Sequence, residues 1–126
     1  MRYLLDSALL IDHGNRDPAA TTLLRRLVEE GHDLFTCDVV TCEALSRGSE
    51  ADLGHMTALL DALEYVSTTP AAARSAGAAR RERNASGRKR ALGDALITAI
   101  AAGLGAIVVT RNRRDFERSG IQILGY

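Results

Sequence analysis

A chain of 126 residues and 13.5 kDa has room for one hydrophobic core, and 46% hydrophobic with 25% charged residues is an ordinary globular composition, which predicts a single domain over 1–126. Sixteen basic residues balance sixteen acidic ones, so overall charge argues neither for nor against a nucleic-acid partner and only local clustering can speak. Two cysteines, Cys37 and Cys42, with three histidines exclude a disulfide framework and the ligand spacing of a zinc site. Both thiols are expected to be buried, and apolar runs broken by Asp6 and Asp12 predict a cytoplasmic chain with no membrane span.

Tyr3-Leu4-Leu5 reads as a short strand that ends at Asp6-Ser7, after which Leu9, Leu10 and Ile11 continue as a short helix closed near Gly14. Asp6 alone reads equally well as a helix N-cap. Asp17-Pro18 starts a second helix with a cap and an N1 proline; Leu23, Leu24, Leu27 and Val28 form its buried stripe and Gly31 stops it. Leu34 to Thr36 is a second strand. Asp38 is expected to cap a helix from about Val39 whose N-terminal half carries Glu43, placed beside the apolar face by Val40, Ala44 and Leu45.

Leu53, Met56, Leu60 and Leu63 predict a further helix, and Tyr65-Val66-Ser67 a short strand. Thr69-Pro70 opens an alanine-rich helix to about Arg83, favoured by propensity alone, and residues 84–87 break the pattern. Leu92, Ala95, Leu96, Ala99 and Ile100 recur at helical spacing over 92–102 until Gly103 and Gly105 end it. Ala106 to Val109 is a strand suited to burial on both faces, and Ile121 to Leu124 a terminal strand.

Five short strands separated by helices, with no hairpin dipeptide between them, predict an α/β fold: a parallel sheet with helices on both faces. A helix of about eleven residues rises ~16 Å, about the length of the strand it feeds, and runs the opposite way. Its start therefore overhangs the strand's end, which brings Asp94 near Thr110, Asn112 and Asp115. Strand and helix directions carry Asp6 and Glu43 to the same carboxyl edge, where open α/β sheets bind ligands. Taken singly, each acid has an ordinary explanation as a cap, a dipole partner or a solvated charge. Four anions in one cleft need a cation, and an oxygen-only donor set points to Mg²⁺ or Mn²⁺. Arg80, Arg81, Arg83, Arg88, Lys89 and Arg90 form a basic run that usually marks a solvated helix end; leading into Asp94, it is placed to hold a phosphate backbone.

The opening YLLDSALLID, the VVTCEAL segment, the GDALITAIA helix start and the closing VVTRNRRDF together resemble the PIN-domain ribonucleases, especially the toxins of VapBC toxin-antitoxin pairs. The similarity covers essentially the whole chain in order. It implies a metal-dependent endoribonuclease on a five-stranded parallel sheet, a homodimer, an RNA substrate and inhibition by a small antitoxin protein. Carried over residue by residue, it gives metal-site roles to Asp6, Glu43 and Asp94, with Asp115 as a fourth and more variable acid. Ser7, Thr110 and Asn112 fall at positions supporting the site, and Arg88, Lys89 and Arg90 remain the RNA-binding candidates. One departure stands out: the family usually has Asn two residues after its first Asp, and this chain has Ala8. A PIN fold with weakened catalysis, acting as an RNA- or protein-binding module, is the alternative this leaves. A phosphoacceptor receiver domain fits poorly, because Asp6 is followed by Ser7 and Lys89, the sole lysine, precedes the Asp94 helix rather than following the last strand.

Overall fold

Parallel neighbours in a sheet need crossover connections, and each connection here carries at least one helix. The computed structural model describes residues 1–85, 90–116 and 119–126, the side chains of 83–85 excepted. Along the described chain lie β1 (Arg2–Leu5), α1 (Ser7–Gly14), α2 (Pro18–Glu29), β2 (Asp33–Cys37), α3 (Asp38–Ala44), α4 (Glu50–Asp61) and β3 (Glu64–Val66). They are followed by α5 (Pro70–Ala85), α6 (Leu92–Leu104), β4 (Ile107–Val109), α7 (Arg113–Phe116) and β5 (Ile123–Leu124). All strand pairings are parallel, in the order β3-β2-β1-β4-β5.

The chain winds outward from β1 to β2 and β3, then crosses back to the other side of β1 for β4 and β5. With right-handed crossovers this reversal places α1 to α4 on one face and α5 with α6 on the other. Consistently, α1 packs on α2 and α4, while α5 packs on α6. The reversal falls between β1 and β4, so the crevice at their carboxyl ends is the topological switch point of the sheet. Leu5 is in register with Val109, and the Asp6 N–H donates to the Val109 carbonyl at 3.0 Å. Asp6 and Thr110 are therefore the first residues to leave two neighbouring central strands side by side.

The core is built where β1 and β4 meet the helices. Leu4, Leu5, Val108 and Val109 are fully buried in the two strands, with Leu9 and Leu10 of α1, Leu27 of α2, Ile97 of α6 and Phe116 of α7 against them. Helix starts follow local chemistry. Asp17 accepts from the Ala20 N–H at 3.0 Å ahead of Pro18, Thr69 accepts from Ala72 at 3.0 Å, and Ser49 with Asp52 closes a reciprocal capping box. Gly105 ends α6 at φ 66°, the left-handed conformation glycine adopts without a Cβ penalty.

Several expectations are corrected. Val28 is 59% exposed because Leu27 takes the buried position beside it, and Leu92 is 56% exposed at the first turn of α6. Cys37 is buried but Cys42 is exposed. The α3 cap is Cys37 rather than Asp38, which is the first helical residue, and Glu43 lies one residue from the helix's end instead of in its first half. Helix α5 runs through Asn84 and Ala85, so these two do not break it; positions 86 and 87 lie outside the described residues. Among the described residues no helix is long and apolar enough to cross a membrane.

Candidate active site at the carboxyl edge of the sheet

Asp6 is the anchor. It is 4% exposed, its Oδ2 accepts from the Thr110 hydroxyl at 2.7 Å, and its Oδ1 accepts from the Ser7 N–H at 2.9 Å as the N-cap of α1. The capping reading of this residue is thus met, by a side chain that also lies at the carboxyl edge of the sheet. Thr110 is fully buried, and its oxygen accepts from the Asn112 N–H at 2.9 Å, which folds the loop after β4 back over the strand end. Burial pushes the Asp6 carboxyl above its usual range; Thr110 and Ser7 oppose that shift, Asp115 adds to it and Arg111 offsets part of it.

Glu43 is exposed at the residue level, yet its carboxylate reaches inward, where Oε1 accepts from the Ser7 hydroxyl at 3.3 Å. Its other oxygen lies against α6: a Cβ added at Gly93 would stand 2.9 Å from Oε2. Gly93 is therefore a spacer that admits the Glu43 carboxylate beside Asp94. Desolvation first, then the charge of Asp6, raises the Glu43 carboxyl, with Ser7 opposing. Ala91, the N-cap of α6, has no polar side chain to cap the helix, and Asp94 falls in the first turn.

A first-turn carboxylate is ordinarily favoured by the helix dipole. Asp94 is instead pushed up to about 6 by burial and by the charges of Asp115, Asp6 and Glu43, with Arg90 opposing. Burial and repulsion outweigh the dipole here. Burial is the leading cause of the shift in Asp6, Glu43 and Asp94 alike; the charge of Asp6 adds to it at Glu43 and Asp94, and that of Asp115, exposed on α7, adds to it at Asp6 and Asp94. Among the described residues no three acid, histidine or cysteine side chains close into a ready-made metal cage.

The structure brings Asp6, Ser7, Glu43, Asp94, Thr110, Asn112 and Asp115 to one edge. Asn112 takes part through its backbone, donating to Thr110 and accepting from the Asp115 N–H at 3.1 Å, while its side chain is exposed. Of the basic run, Arg90 borders the site through its effect on Asp94, and its carbonyl accepts from Arg80 Nε at 3.2 Å. Arg88 and Lys89 lie outside the described residues. Sequence reasoning missed Asp12, which is buried, accepts from Arg111 at 2.8 Å and from the Tyr126 hydroxyl at 2.7 Å. An Asp directly after Leu9, Leu10 and Ile11 was the available signal, since a buried acid needs partners. A recess of about 910 Å³ between α1, α2 and the start of α4 is lined by none of the four acids.

The family profile of the PIN domain matches residues 3–121. Ribonuclease VapC19 of Mycobacterium tuberculosis is 31% identical over 113 residues, covering 90% of each chain. The fold also matches VapBC2 from Rickettsia felis, solved with a DNA fragment from its promoter, at a TM-score of 0.85 and 20% identity over 100% of this chain and 99% of that one. VapBC-1 of nontypeable Haemophilus influenzae superposes at 0.81 with 18% identity over 99% and 98% of the two chains. The acid edge thus sits on a scaffold shared along its whole length, and the chain belongs to the PIN-domain family, in which it is related to the VapC ribonucleases.

Proposed function

We propose that the acid edge is the active site of an endoribonuclease that hydrolyses RNA phosphodiester bonds, and that the chain is the toxin of a type II toxin-antitoxin pair. The observation that carries the reading is the Asp94 carboxyl, pushed up to about 6 by burial and by acids from three other segments. Such a cluster is costly unless a cation or a proton joins it. The donors are all oxygen, which fits Mg²⁺ or Mn²⁺. Magnesium keeps several waters and commonly binds through only one or two carboxylates, so it does not require a closed protein cage. Asp6 and Asp94 would hold the ion directly, with Glu43 and Asp115 acting through water. When bound, such an ion activates a water for attack and offsets charge developing on the phosphate oxygens.

The remaining steps belong to the chain's own side chains. Thr110 and the Ser7 N–H fix both oxygens of Asp6, so that carboxylate needs little reordering to act. Ser7 also aims Glu43. This bears on Ala8: the residue is 7% exposed, and the orienting bond that an Asn there would offer is supplied by the neighbouring Ser7 hydroxyl. The enzyme reading is favoured over the weakened binding module on that ground. Arg90, with Arg88 and Lys89, is assigned to the RNA backbone.

The partner is a cognate antitoxin, as in the VapBC assemblies that share the fold. A homodimer in the cytoplasm, formed by a single domain over 1–126, follows from the same family resemblance. Purified protein incubated with mixed RNA and Mn²⁺ should yield endonucleolytic fragments, and Asp94→Asn should abolish them while keeping its circular dichroism spectrum. Equal cleavage by the Asn variant would sink the assignment. Salt-dependent RNA binding by Arg90→Ala tests the basic run, because each lost single-strand phosphate contact removes ~0.7 from the slope of log affinity against log salt.

A further inference from the structure

Arg111 directly follows Thr110, and its Nη1 donates to Asp12 Oδ1 at 2.8 Å. Asp12 is 8% exposed, and its Oδ2 accepts from the Tyr126 hydroxyl at 2.7 Å. Each carboxylate oxygen thus has its own partner, so Asp12 holds one corner of the guanidinium at a set place. The Arg111 side chain keeps 53% of its surface open. Its charge reaches Asp6, so the cation stands within electrostatic range of that carboxylate.

Asp12 is buried, but the Arg111 end of the pair is open to solvent, where a charge pair adds little, so tying α1 to the loop after β4 and to Tyr126 does not by itself account for a half-open guanidinium. Positioning accounts for it better. A free arginine loses rotamer freedom when it binds a ligand, and anchoring it beforehand removes part of that cost. A guanidinium has five N–H donors in a planar fork that matches phosphate, and Asp12 engages it through Nη1. An edge of four acids repels an RNA backbone, and a fixed cation on the same loop as Thr110 counters that repulsion.

We propose that Arg111 is a phosphate-binding residue of this crevice, gripping a backbone phosphate of single-stranded RNA beside the acid cluster, with Asp12 and Tyr126 as the residues that position it. The inference deepens the ribonuclease reading and rests on it. The test is binding of a fluorescent single-stranded RNA oligonucleotide across a salt series, with Arg111→Gln compared to its parent both in an Asp94→Asn background and in wild type with EDTA. The expected result is a slope smaller by ~0.7 and a clear loss of affinity at low salt. Arg111→Lys should recover the slope but not the full affinity, because the charge returns without the fork. Tyr126→Phe should keep the slope and weaken binding a few-fold.

An unchanged slope for Arg111→Gln in both backgrounds overturns the proposal. So does a pattern in which Arg111→Gln and Tyr126→Phe lower the melting temperature alike while RNA binding stays at the parent's level, since that is a structural clip. Cleavage of the same RNA by wild type with Mn²⁺ is scored separately. Its absence counts against the ribonuclease reading, whereas the salt slope decides Arg111.

Discussion

The Thr110 hydroxyl donates to Asp6 Oδ2 at 2.7 Å from the neighbouring strand, joining two residues that are 104 positions apart in sequence. Because both are buried, this bond is the chief opponent of the burial that raises the Asp6 carboxyl. Thr110→Val keeps the shape and removes the donor, and it also leaves the Asn112 N–H without its acceptor. A hydrogen bond to a charged group contributes ~1.5–3 kcal/mol, so a loss of about 2 kcal/mol is expected near neutral pH. The Asp6 folded-state value should rise further above its unfolded one. The added penalty on the ionised form therefore shrinks as pH falls through the raised value. Urea melts in EDTA should show a deficit near neutral pH that narrows as pH falls through the raised Asp6 value; a deficit independent of pH would mean that the hydroxyl does not act through Asp6.

Asp94 gives the largest readout of the acid cluster. Its folded-state value near 6 lies above the ordinary 3.8, so ionising it costs stability, and the cost grows from the unfolded value until it is complete above about 6. Asp94→Asn removes the charge and nearly keeps the shape. Metal-free variant should melt above metal-free wild type near neutral pH, by the equivalent of ~1–2 kcal/mol after allowance for solvent screening. The gain should fade as pH drops toward 4, where wild-type Asp94 is itself protonated in the fold. Manganese binds the folded site in preference to the unfolded chain and should raise the wild-type melting temperature in a dose-dependent way, with a much smaller effect on the variant. Scanning fluorimetry with EDTA and graded Mn²⁺ checks both halves; a variant less stable without metal, yet equally stabilised by it, would dissolve the idea of one cation site.

Sequence carried the parts of this fold that depend on local chemistry. Asp17-Pro18 marks the start of α2 because a cap and a fixed φ act within one turn, and the apolar runs at Leu4 and Val108 mark central strands because both their faces are covered. The convergence of Asp6 and Asp94 was legible for the same reason, since strand polarity alone carries them to one edge. What escaped depends on packing between distant segments. The Asp12 to Tyr126 bond spans 114 positions, and no periodicity announces it. Glu43 was placed too early in its helix because α3 is only seven residues long, closing at Leu45 before Gly48 and the Ser49 capping box start a new element. Exposure of Val28, Leu92 and Cys42 likewise depends on which neighbours reach them, which hydrophobicity does not encode.

Asp38 offers a stability test outside the acid edge. Burial works against its charge, but Thr68 donates through its N–H at 3.1 Å and its hydroxyl at 2.8 Å, and the Val39 N–H adds a third donor at 3.0 Å, leaving the carboxyl below its usual range. The bonds tie the start of α3 to the segment after β3. Asp38→Ala should cost ~1–2 kcal/mol at neutral pH. With a lowered folded-state value, that contribution is present above the unfolded pKa and lost as pH falls through the folded one, so wild type and variant should converge in acid. The shift produced by Mn²⁺ should be the same in both proteins; a variant that lost it would tie Asp38 to the site.

Gly93→Ala separates fold from function most directly. The new methyl would stand 2.9 Å from Glu43 Oε2, closer than such contacts occur, so one of the two must move. Glu43 ends a flexible side chain that is partly open to solvent, whereas Gly93 is fixed in the first turn of α6, so the carboxylate should be the one displaced. That breaks the Ser7 bond to Glu43 and turns the acid away from Asp94. For the fold, alanine is the better helix former by ~0.5–1 kcal/mol, and moving one anion away from Asp6 and Asp94 relieves repulsion. The melting temperature should therefore hold or rise by a few degrees. RNA cleavage should fall by about 10- to 100-fold, the usual scale for a lost orienting interaction around a metal site. The Asp94 carboxyl should also drop toward its ordinary value, because one of its three acidic neighbours has withdrawn. Carboxyl titration by NMR alongside cleavage kinetics would read both effects. A variant with wild-type cleavage and an unmoved Asp94 would show that Glu43 does not belong to the working site.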